Sequence, residues 1–351
     1  MCRNTPVPDN SRRRPFHGFH CYPSSILIDI ARGMPSHRPL LIVAYAALAA
    51  AVAFASKTHR PIIGILAQKV NDLLPPRQAN QTYISASYVK FVEQAGARVI
   101  PIFVDQEDDY YIKTFNAVNG ILFPGGDVDA VNSSYGRAAS ILYDLAMKAN
   151  RKGTHFPLWG TCLGLELVAR LAVGGKQVLT PCLAQGVGMP LDFTRDFRRS
   201  RMLHSLPRHL QTVLSSEPIT YNAHHWCLTL ENFKAFGLNK FYKILSTNVD
   251  LQGMTFISSM EGTSAPVYAV QFHPEMAVFE WGTRTPGRSH LYHNGDTALF
   301  SQYLANFFVG EARRNNHRFP NEDEERRALI YNYQPSFTED KTYFTQMYLF
   351  E

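Results

Sequence analysis

From Pro61 onward, short runs of apolar residues alternate with longer stretches in which apolar positions recur at helical spacing. A short β-branched run is typical of a buried strand, and an apolar period of three to four residues is typical of a helix packed on a sheet. Their regular alternation indicates an α/β fold with a central, mostly parallel sheet flanked by helices. The predicted strands cover residues 62–66, 98–104, 118–123 and 156–159, and the predicted helices cover 84–95, 108–115, 137–149 and 163–171.

The second half of the pattern is less regular. Gly174 and Gly175 end the helix at 163–171, and a polar, loop-rich stretch follows over 180–208. No linker or internal repeat divides the chain, so we predict one domain over residues 56–351. The aromatic residues of the tail at 321–351 predict that it packs on this domain. Further strands are predicted near Ile219 and over 242–245, 255–259 and 267–272, and a long helix over 297–315.

Cys162 lies where a predicted strand turns directly into a predicted helix. Gly160 and Gly164 stand two residues to either side, the spacing by which a nucleophile elbow relieves crowding at a strained turn. A thiol at a helix N-terminus beside a histidine has a pKa below its usual value of about 8.5 and is a competent nucleophile. The alternative is a structural cysteine in a loop shaped by glycines.

His273 and Glu275 follow the predicted strand at 267–272, in the sequence Phe272-His273-Pro274-Glu275. The carboxyl ends of parallel strands meet at one edge of a sheet, where α/β sites assemble. A carboxylate two residues away can hold the imidazole in one tautomer. Alone the motif is more often a surface turn, but together with the elbow it predicts nucleophilic acyl transfer by a Cys-His-Glu set.

Acyl transfer also needs donors for the oxyanion of a tetrahedral intermediate. The backbone N–H of Leu163 is one candidate. Pro124-Gly125-Gly126, at the end of the predicted central strand 118–123, is the second, because glycine lets the backbone approach a ligand closely. We therefore assign the second donor to Gly126 and a substrate contact to Gly125.

The composition is that of an ordinary globular protein, with 351 residues and 45% hydrophobic content. The formal net charge is +6, but the Lys and Arg residues are dispersed along the chain. The one compact basic run, at residues 12–14, precedes the predicted domain. We therefore expect no nucleic-acid partner.

Residues 40–55 are continuously apolar and end in small residues. This run is shorter than the roughly 20 residues that span a bilayer, and its ending suits signal-peptidase cleavage. We predict a signal peptide over 34–55 preceded by a leader over 1–33, with either Met1 or Met34 as the start. No stable membrane span is then expected after cleavage. The alternative is an uncleaved anchor or a buried helix.

If the protein enters the secretory pathway, glycosylation of its sequons and disulfide formation by its cysteines both become possible. Asn80 and Asn132 begin Asn-x-Ser/Thr sequons and are candidate glycosylation sites. Beyond residue 55 the cysteines are Cys162, Cys182 and Cys227, so at least one thiol is free. Cys182 and Cys227 either form a disulfide or are small buried apolar residues.

Gly160-x-Cys162-x-Gly164, Pro124-Gly125-Gly126 and Phe272-His273-Pro274-Glu275 resemble the class I glutamine amidotransferase superfamily. Within it, the chain closely resembles the γ-glutamyl hydrolases, also called folylpolyglutamate hydrolases. The likeness runs from Arg60 to the C-terminus. Its supporting segments are residues 60–66, 87–90, 95–99, 119–126, 158–166, 260–262, 266–268 and 311–313.

The resemblance implies a flavodoxin-like fold with Cys162 as nucleophile, His273 as its base and Glu275 as a supporting carboxylate. It also implies that His224 is a second histidine near the substrate, and that the protein is a homodimer. Glu166 stands four residues after the nucleophile, where ammonia-supplying glutaminases typically carry Gln. Met276 stands where a lysine is common in the hydrolases.

These features together predict a cysteine hydrolase, an omega peptidase that cleaves γ-glutamyl bonds of folylpoly-γ-glutamates without a metal or an organic cofactor. The signal peptide predicts secretion or delivery to a lysosome or vacuole. One alternative is a glutaminase that supplies ammonia to a partner synthetase; another is a non-catalytic binding protein on the same scaffold.

Overall fold

A computed structural model describes residues 57–70, 81–282, 291–339 and 341–351. The predicted leader, the predicted signal peptide and the sequon at Asn80 lie outside these residues. From Lys57 to Glu351 the chain forms one unit by its contacts. None of the helices in the described part of the chain is long and apolar enough to cross a membrane.

Strands and helices alternate through the first half of this unit. The strands are β1 (Ile62–Leu66), β2 (Gln68–Lys69), β3 (Thr82–Ser85), β4 (Arg98–Ile102), β5 (Gly120–Phe123), β6 (Leu158–Thr161), β7 (Thr180–Met189), β8 (Asp192–Phe193), β9 (Thr220–Cys227), β10 (Tyr242–Val249), β11 (Thr255–Gly262), β12 (Val267–Val270), β13 (Ser336–Phe337) and β14 (Gln346–Phe350). The helices are α1 (Ala86–Glu93), α2 (Asp108–Ala117), α3 (Ser134–Arg151), α4 (Leu163–Ala172), α5 (Arg208–Ser216), α6 (Leu230–Ala235), α7 (Met276–Phe279), α8 (Gly295–Ala312) and α9 (Glu322–Ala328).

The central sheet has eight strands among the described residues, in the order β4-β1-β5-β6-β12-β11-β10-β8. The pairs from β4 to β12 are parallel. The pairs from β12 to β8 are antiparallel. This confirms the predicted α/β class with a mostly parallel sheet. Because β5, β6 and β12 are neighbours, the segments that follow their carboxyl ends meet at one edge.

Both faces of the sheet are covered by helices, which explains why β1 and β5 are apolar at every position. Ile62 packs on one face, in a cluster that contains Leu142 of α3. Its neighbour Ile63 packs on the other face, in a cluster that contains Phe91 of α1 and Phe308 of α8. Successive side chains of a strand point to opposite faces, so these two clusters form one core on each side of the sheet.

The C-terminal tail packs on the domain, as its aromatic content predicted. Strand β14 pairs antiparallel with β3, and Tyr348 lies opposite Ile84. Met347 and Phe350 are buried. The helix predicted from residue 84 was wrong at its start, because Ile84 belongs to β3 and α1 begins at Ala86. The partner of β3 is β14, at the far end of the chain, and a local sequence pattern does not reveal such a partner.

The stretch at 180–208 was predicted as loop, but it begins with the ten-residue strand β7. This strand pairs antiparallel with β9 in a separate two-stranded sheet, and its register shifts twice. A disulfide between Cys182 and Cys227 joins the two strands. Of the two alternatives left open by the sequence, the pairing is therefore correct. An isolated pair of strands is marginally stable in water, so the covalent link has a structural purpose.

Replacing both Cys182 and Cys227 by Ala is expected to lower the free energy of unfolding by about 4 kcal/mol. The bond closes a loop with a sequence separation of 45, which restricts the unfolded chain. Urea unfolding of the double variant measures the loss. Cys162→Ala is the control, because it removes a thiol without removing a crosslink. Equal stability of wild type and double variant would show that the crosslink contributes nothing.

Candidate active site

Cys162 connects β6 to α4 through an unusual backbone conformation, with φ 53° and ψ −109°. A residue with a Cβ at positive φ is strained by about 1–3 kcal/mol, and such strain persists only where the surroundings enforce it. Here the Cys162 N–H donates a hydrogen bond to the carbonyl of Val270, at 2.8 Å. The turn is thereby fixed to β12, and the thiol is buried at the start of the helix.

The two flanking glycines are required by close backbone contacts. A Cβ at Gly160 would lie 2.5 Å from the carbonyl oxygen of Gly164. A Cβ at Gly164 would lie 2.1 Å from the carbonyl oxygen of Phe123, at the end of β5. The glycine spacing that predicted the elbow thus reflects the tight packing of α4 on the neighbouring strand.

His273 follows β12 and faces the elbow. Its backbone N–H donates a hydrogen bond to the backbone carbonyl of Tyr221 at 2.8 Å, and this bond connects His273 to β9. Its Nδ1 lies 2.7 Å from Oε1 of Glu275, and both side chains are buried. The Nδ1–H group donates a hydrogen bond to this carboxylate and keeps its proton. The other ring nitrogen, Nε2, is therefore the one that faces the thiol.

The thiol and the imidazole form a coupled pair. Burial lowers the pKa of His273, but the Glu275 carboxylate and Cys162 outweigh it and raise that pKa to about 10. Burial also raises the pKa of Cys162, against His273 and the Leu163 N–H, which lower it. The lowered pKa expected from the helix N-terminus was therefore wrong, because burial disfavours the charged thiolate. The raised pKa of His273 means that its imidazolium is stabilised by Glu275 and by Cys162, so transfer of the thiol proton to Nε2 gives a thiolate that is paired with an imidazolium.

Tyr88 of α1 completes the support of the imidazole and was missed by sequence reasoning. Its hydroxyl accepts a hydrogen bond from the N–H of Gly125 at 2.8 Å and lies 3.4 Å from Nδ1 of His273. Burial and the nearby Glu275 raise the pKa of Tyr88 well above its ordinary value, so it remains a neutral hydroxyl. The helical spacing identified Tyr88 only as a core residue.

Gly125 and Gly126 lie between the elbow and β2. A Cβ at Gly125 would be 2.7 Å from both His273 Cε1 and the Tyr88 hydroxyl. The Gly125 N–H donates a hydrogen bond to the Tyr88 hydroxyl. The N–H of Gly126 has no hydrogen-bond partner among the described residues. The side chain of Gln68 donates to the Gly125 carbonyl at 2.8 Å and supports the loop from behind. Gln68 was also missed, because it reaches the loop from a different strand.

The N–H of Leu163, the first residue of α4, hydrogen-bonds the Cys162 thiol and lowers its pKa. Leu163, Gly125 and Gly126 line the same cleft as Cys162 and His273. The predicted oxyanion donors and the predicted nucleophile are thus brought together.

His224 lies on β9 and lines this cleft as well. Its Nδ1 donates to the carbonyl of Trp226 at 2.9 Å. The preceding carbonyl, of Ala223, lies 3.9 Å from the Cys162 sulfur. Burial lowers the pKa of His224 to about 3, so the ring is neutral over the ordinary pH range.

The buried neutral His224 predicts a loss of stability on acidification. Its pKa falls from 6.5 to about 3 in the folded protein, so the unfolded chain takes up this proton first as the pH drops. The stabilising contribution is complete above pH 6.5 and is lost between that value and about 3. Thermal unfolding of His224→Gln is expected to depend less on pH between 7 and 4.5 than that of wild type. Identical pH dependence in the two proteins would contradict this assignment.

The cleft has a volume of about 410 Å³. Glu166 lines the cleft, and the side-chain amide of the buried Gln271 donates a hydrogen bond to it at 3.1 Å. Burial raises the pKa of Glu166 to about 7. A more open groove of about 860 Å³ lies between β8 and α5, away from Cys162, and is lined by Phe193 and Arg208 among others.

One group of side chains in the described part of the chain is close enough to share a metal ion: Cys182, His224 and Cys227. The two sulfurs are joined in the disulfide, so they are not available as thiolates. Asn132, the other predicted glycosylation site, is exposed and precedes α3.

The sequence from β1 through Glu275 matches a known protein family. The family model of peptidase C26 covers residues 61–275. The chain belongs to the peptidase C26 family. It is therefore an enzyme, a cysteine peptidase, and Cys162 is the free cysteine of its described residues.

Curated relatives of this peptidase C26 member include "Gamma-glutamyl hydrolase" of Bos taurus, 45% identical over 293 residues, which are 83% of this chain and 90% of the relative. The protein of the same name from Homo sapiens is 43% identical over 313 residues, 89% of this chain and 96% of the relative. Among solved structures, the glutaminase domain of Trypanosoma brucei CTPS with bound acivicin is similar with a TM-score of 0.45. It is 16% identical, over 74% of this chain and 96% of that chain.

Proposed function

We propose that the protein is a γ-glutamyl hydrolase that cleaves the γ-linked bonds of folylpoly-γ-glutamates. The strained elbow that presents Cys162 to the His273–Glu275 pair is the main support for this function. Two curated relatives named Gamma-glutamyl hydrolase, at 45% and 43% identity over most of both chains, support the bond type. The folate-linked substrate is proposed from the resemblance of the sequence to the folylpolyglutamate hydrolases.

In the first step the Cys162 thiolate attacks the γ-carbonyl carbon. A C–S bond forms, and the carbonyl electron pair moves onto oxygen. The tetrahedral intermediate collapses when the His273 imidazolium gives its Nε2 proton to the departing amine. A thioester remains on Cys162 and the glutamate-containing amine leaves.

In the second step water attacks the thioester while the now neutral His273 takes up its proton. The thiolate leaves, the acid product is released and the Cys162–His273 ion pair is restored. Glu275 keeps the proton on Nδ1 throughout and so directs Nε2 at the reacting atoms. The N–H groups of Leu163 and Gly126 are the proposed donors to the oxyanion in both steps.

The runner-up function is release of ammonia from glutamine for a partner synthetase. Glu166 at the fourth position after Cys162 disfavours it, because glutaminases of this superfamily typically carry Gln there. A non-catalytic binding protein is disfavoured by the complete set of Cys162, His273 and Glu275, with its short Nδ1 to carboxylate contact.

The compartment proposed for the enzyme is the secretory route, ending outside the cell or in a lysosome or vacuole. The apolar run at 40–55 and the exposed sequon at Asn132 support this. The Cys182–Cys227 disulfide adds support, because such bonds persist in oxidising compartments. Glycosylation at Asn80 and Asn132 and assembly as a homodimer stay predictions.

Incubating the purified protein with a pteroyl-γ-oligoglutamate and, separately, with free glutamine tests the proposed function. Glutamate or γ-glutamyl peptides are expected from the first substrate, with little ammonia from the second. Ammonia release from glutamine without hydrolysis of the oligoglutamate would favour the glutaminase. No reaction with either substrate would contradict the proposed function.

A further inference from the structure

Cys162, immediately before α4, and Glu166 and Arg170 within it all line the cleft. Each is four positions from the next, and residues at that spacing are neighbours on a helix surface. Arg170 is more than nine-tenths buried, with 8% of its surface exposed. A buried cation therefore lies in the same cleft as the nucleophile.

The guanidinium of Arg170 lacks hydrogen-bond partners among the described residues. Its Nε is fully buried and unpartnered. The nearest carboxylate atom is Oδ1 of Asp129, which forms an ion pair with a terminal nitrogen at 3.7 Å but lies beyond hydrogen-bond distance. The same oxygen already accepts hydrogen bonds from the backbone N–H groups of Val131 and Asn132, at 2.8 and 2.6 Å. Asp129 thus balances part of the charge of Arg170 but leaves its N–H donors without an acceptor, and a buried donor group without hydrogen-bond partners is unfavourable.

A carboxylate is the ligand that best pairs such a group. The planar guanidinium presents parallel N–H donors that match the two oxygens of a carboxylate. Burial raises the pKa of Glu166, one turn away, to about 7. At mildly acidic pH Glu166 is therefore largely neutral and leaves the positive charge of Arg170 available to a ligand.

The position of Arg170 fits a carboxylate on the substrate itself. Along a helix, eight residues span about 12 Å. Side chains on a helix lean toward its N-terminus, so a long arginine covers about 6 Å of that distance. In a γ-glutamyl unit the α-carboxylate carbon lies four bonds, or about 5 Å, from the γ-carbonyl carbon. Helix geometry therefore gives a separation of about one γ-glutamyl unit between the guanidinium and the start of α4, where the thiol lies.

We propose that Arg170 binds the α-carboxylate of the γ-glutamyl unit whose carbonyl carbon Cys162 attacks. The inference rests on the proposed function and deepens it. In a γ-linked unit the α-carboxylate is free, whereas in an α-linked unit it is consumed in the bond. Arg170 therefore selects for γ-linkage at the residue that becomes the acyl group.

The test compares two substrates with wild type and Arg170→Gln. One substrate carries a free α-carboxylate on the acyl γ-glutamyl unit, and the other carries an α-carboxamide there. Loss of a paired, charge-assisted contact is expected to raise the KM of Arg170→Gln for the carboxylate about 10- to 100-fold, with kcat changed only a few-fold. The KM for the carboxamide is expected to be nearly the same in both proteins.

Arg170→Lys keeps the charge without the paired donors and is expected to give an intermediate KM for the carboxylate. The matched control is Arg137→Gln, an exposed arginine that pairs with Asp108 away from the cleft; its KM values are expected to stay at wild-type level. Suppose that Arg170→Gln or Arg170→Lys is active but its KM changes equally for both substrates, or for neither. That result would overturn the role of Arg170 and leave the proposed function intact. Failure of wild type to hydrolyse either substrate would overturn the proposed function as well.

Discussion

Cys162→Ala is expected to lower kcat/KM for a γ-glutamyl oligomer by about 10⁴-fold or more, because no other thiol among the described residues is free to form the thioester. Binding is expected to survive, since the cleft and its polar groups remain. The measurement is steady-state hydrolysis by wild type and variant at matched concentration. Residual activity within about tenfold of wild type would exclude Cys162 as the nucleophile.

The same position also predicts a change in stability. Cys162 has φ 53°, a conformation that glycine adopts without strain. Cys162→Gly is therefore expected to unfold at the same temperature as Cys162→Ala or a higher one, although glycine usually destabilises a folded chain. Both variants lack the nucleophile, so comparing their thermal unfolding isolates the backbone strain. A clearly lower unfolding temperature for Cys162→Gly would show that the turn is not strained.

Gly164→Ala has the second largest expected effect. The added Cβ would lie 2.1 Å from the Phe123 carbonyl oxygen, so α4 must move away from β5. Overpacking against backbone is expected to cost about 3 kcal/mol of stability. The movement also shifts the thiol relative to His273, and a misplacement of about 1 Å is expected to lower kcat about 100-fold. Urea unfolding and steady-state kinetics of the variant measure both effects.

Gly310→Ala is the matched control. Gly310 lies in α8, and a Cβ there would meet nothing within 4 Å. Alanine at this position is expected to leave kcat unchanged and to raise the free energy of unfolding by about 0.5–1 kcal/mol. If Gly164→Ala behaved like Gly310→Ala, the close packing of the elbow on β5 would be refuted.

The elements that the sequence predicted well are those whose signal is local. Strands β1, β5 and β6 are short apolar runs buried on both faces, and Cys162 with its two glycines follows from one contiguous motif. Strands β6 and β12 are parallel neighbours, so placing them in a parallel sheet was enough to bring Cys162 and His273 to one edge.

Elements and residues that depend on distant partners were missed. Strand β7 contains Pro181 and two glycines, residues that are depleted in strands, and it is a strand because β9 pairs with it and a disulfide joins the two. Tyr88 and Gln68 meet the Gly125–Gly126 loop from other parts of the chain, at separations of 37 and 57 residues. The pKa of Cys162 was misjudged for the same reason, since burial is a property of the folded structure.

The most direct test of the account is the covalent state of Cys162 during turnover. The protein is mixed with a γ-glutamyl oligomer, quenched in acid over a time course that begins before the steady state, digested, and examined by mass spectrometry. The peptide containing Cys162 is expected to gain the mass of the acyl part of the substrate, attached to the sulfur. Turnover without an adduct on Cys162, or with the acyl group on another residue, would contradict it.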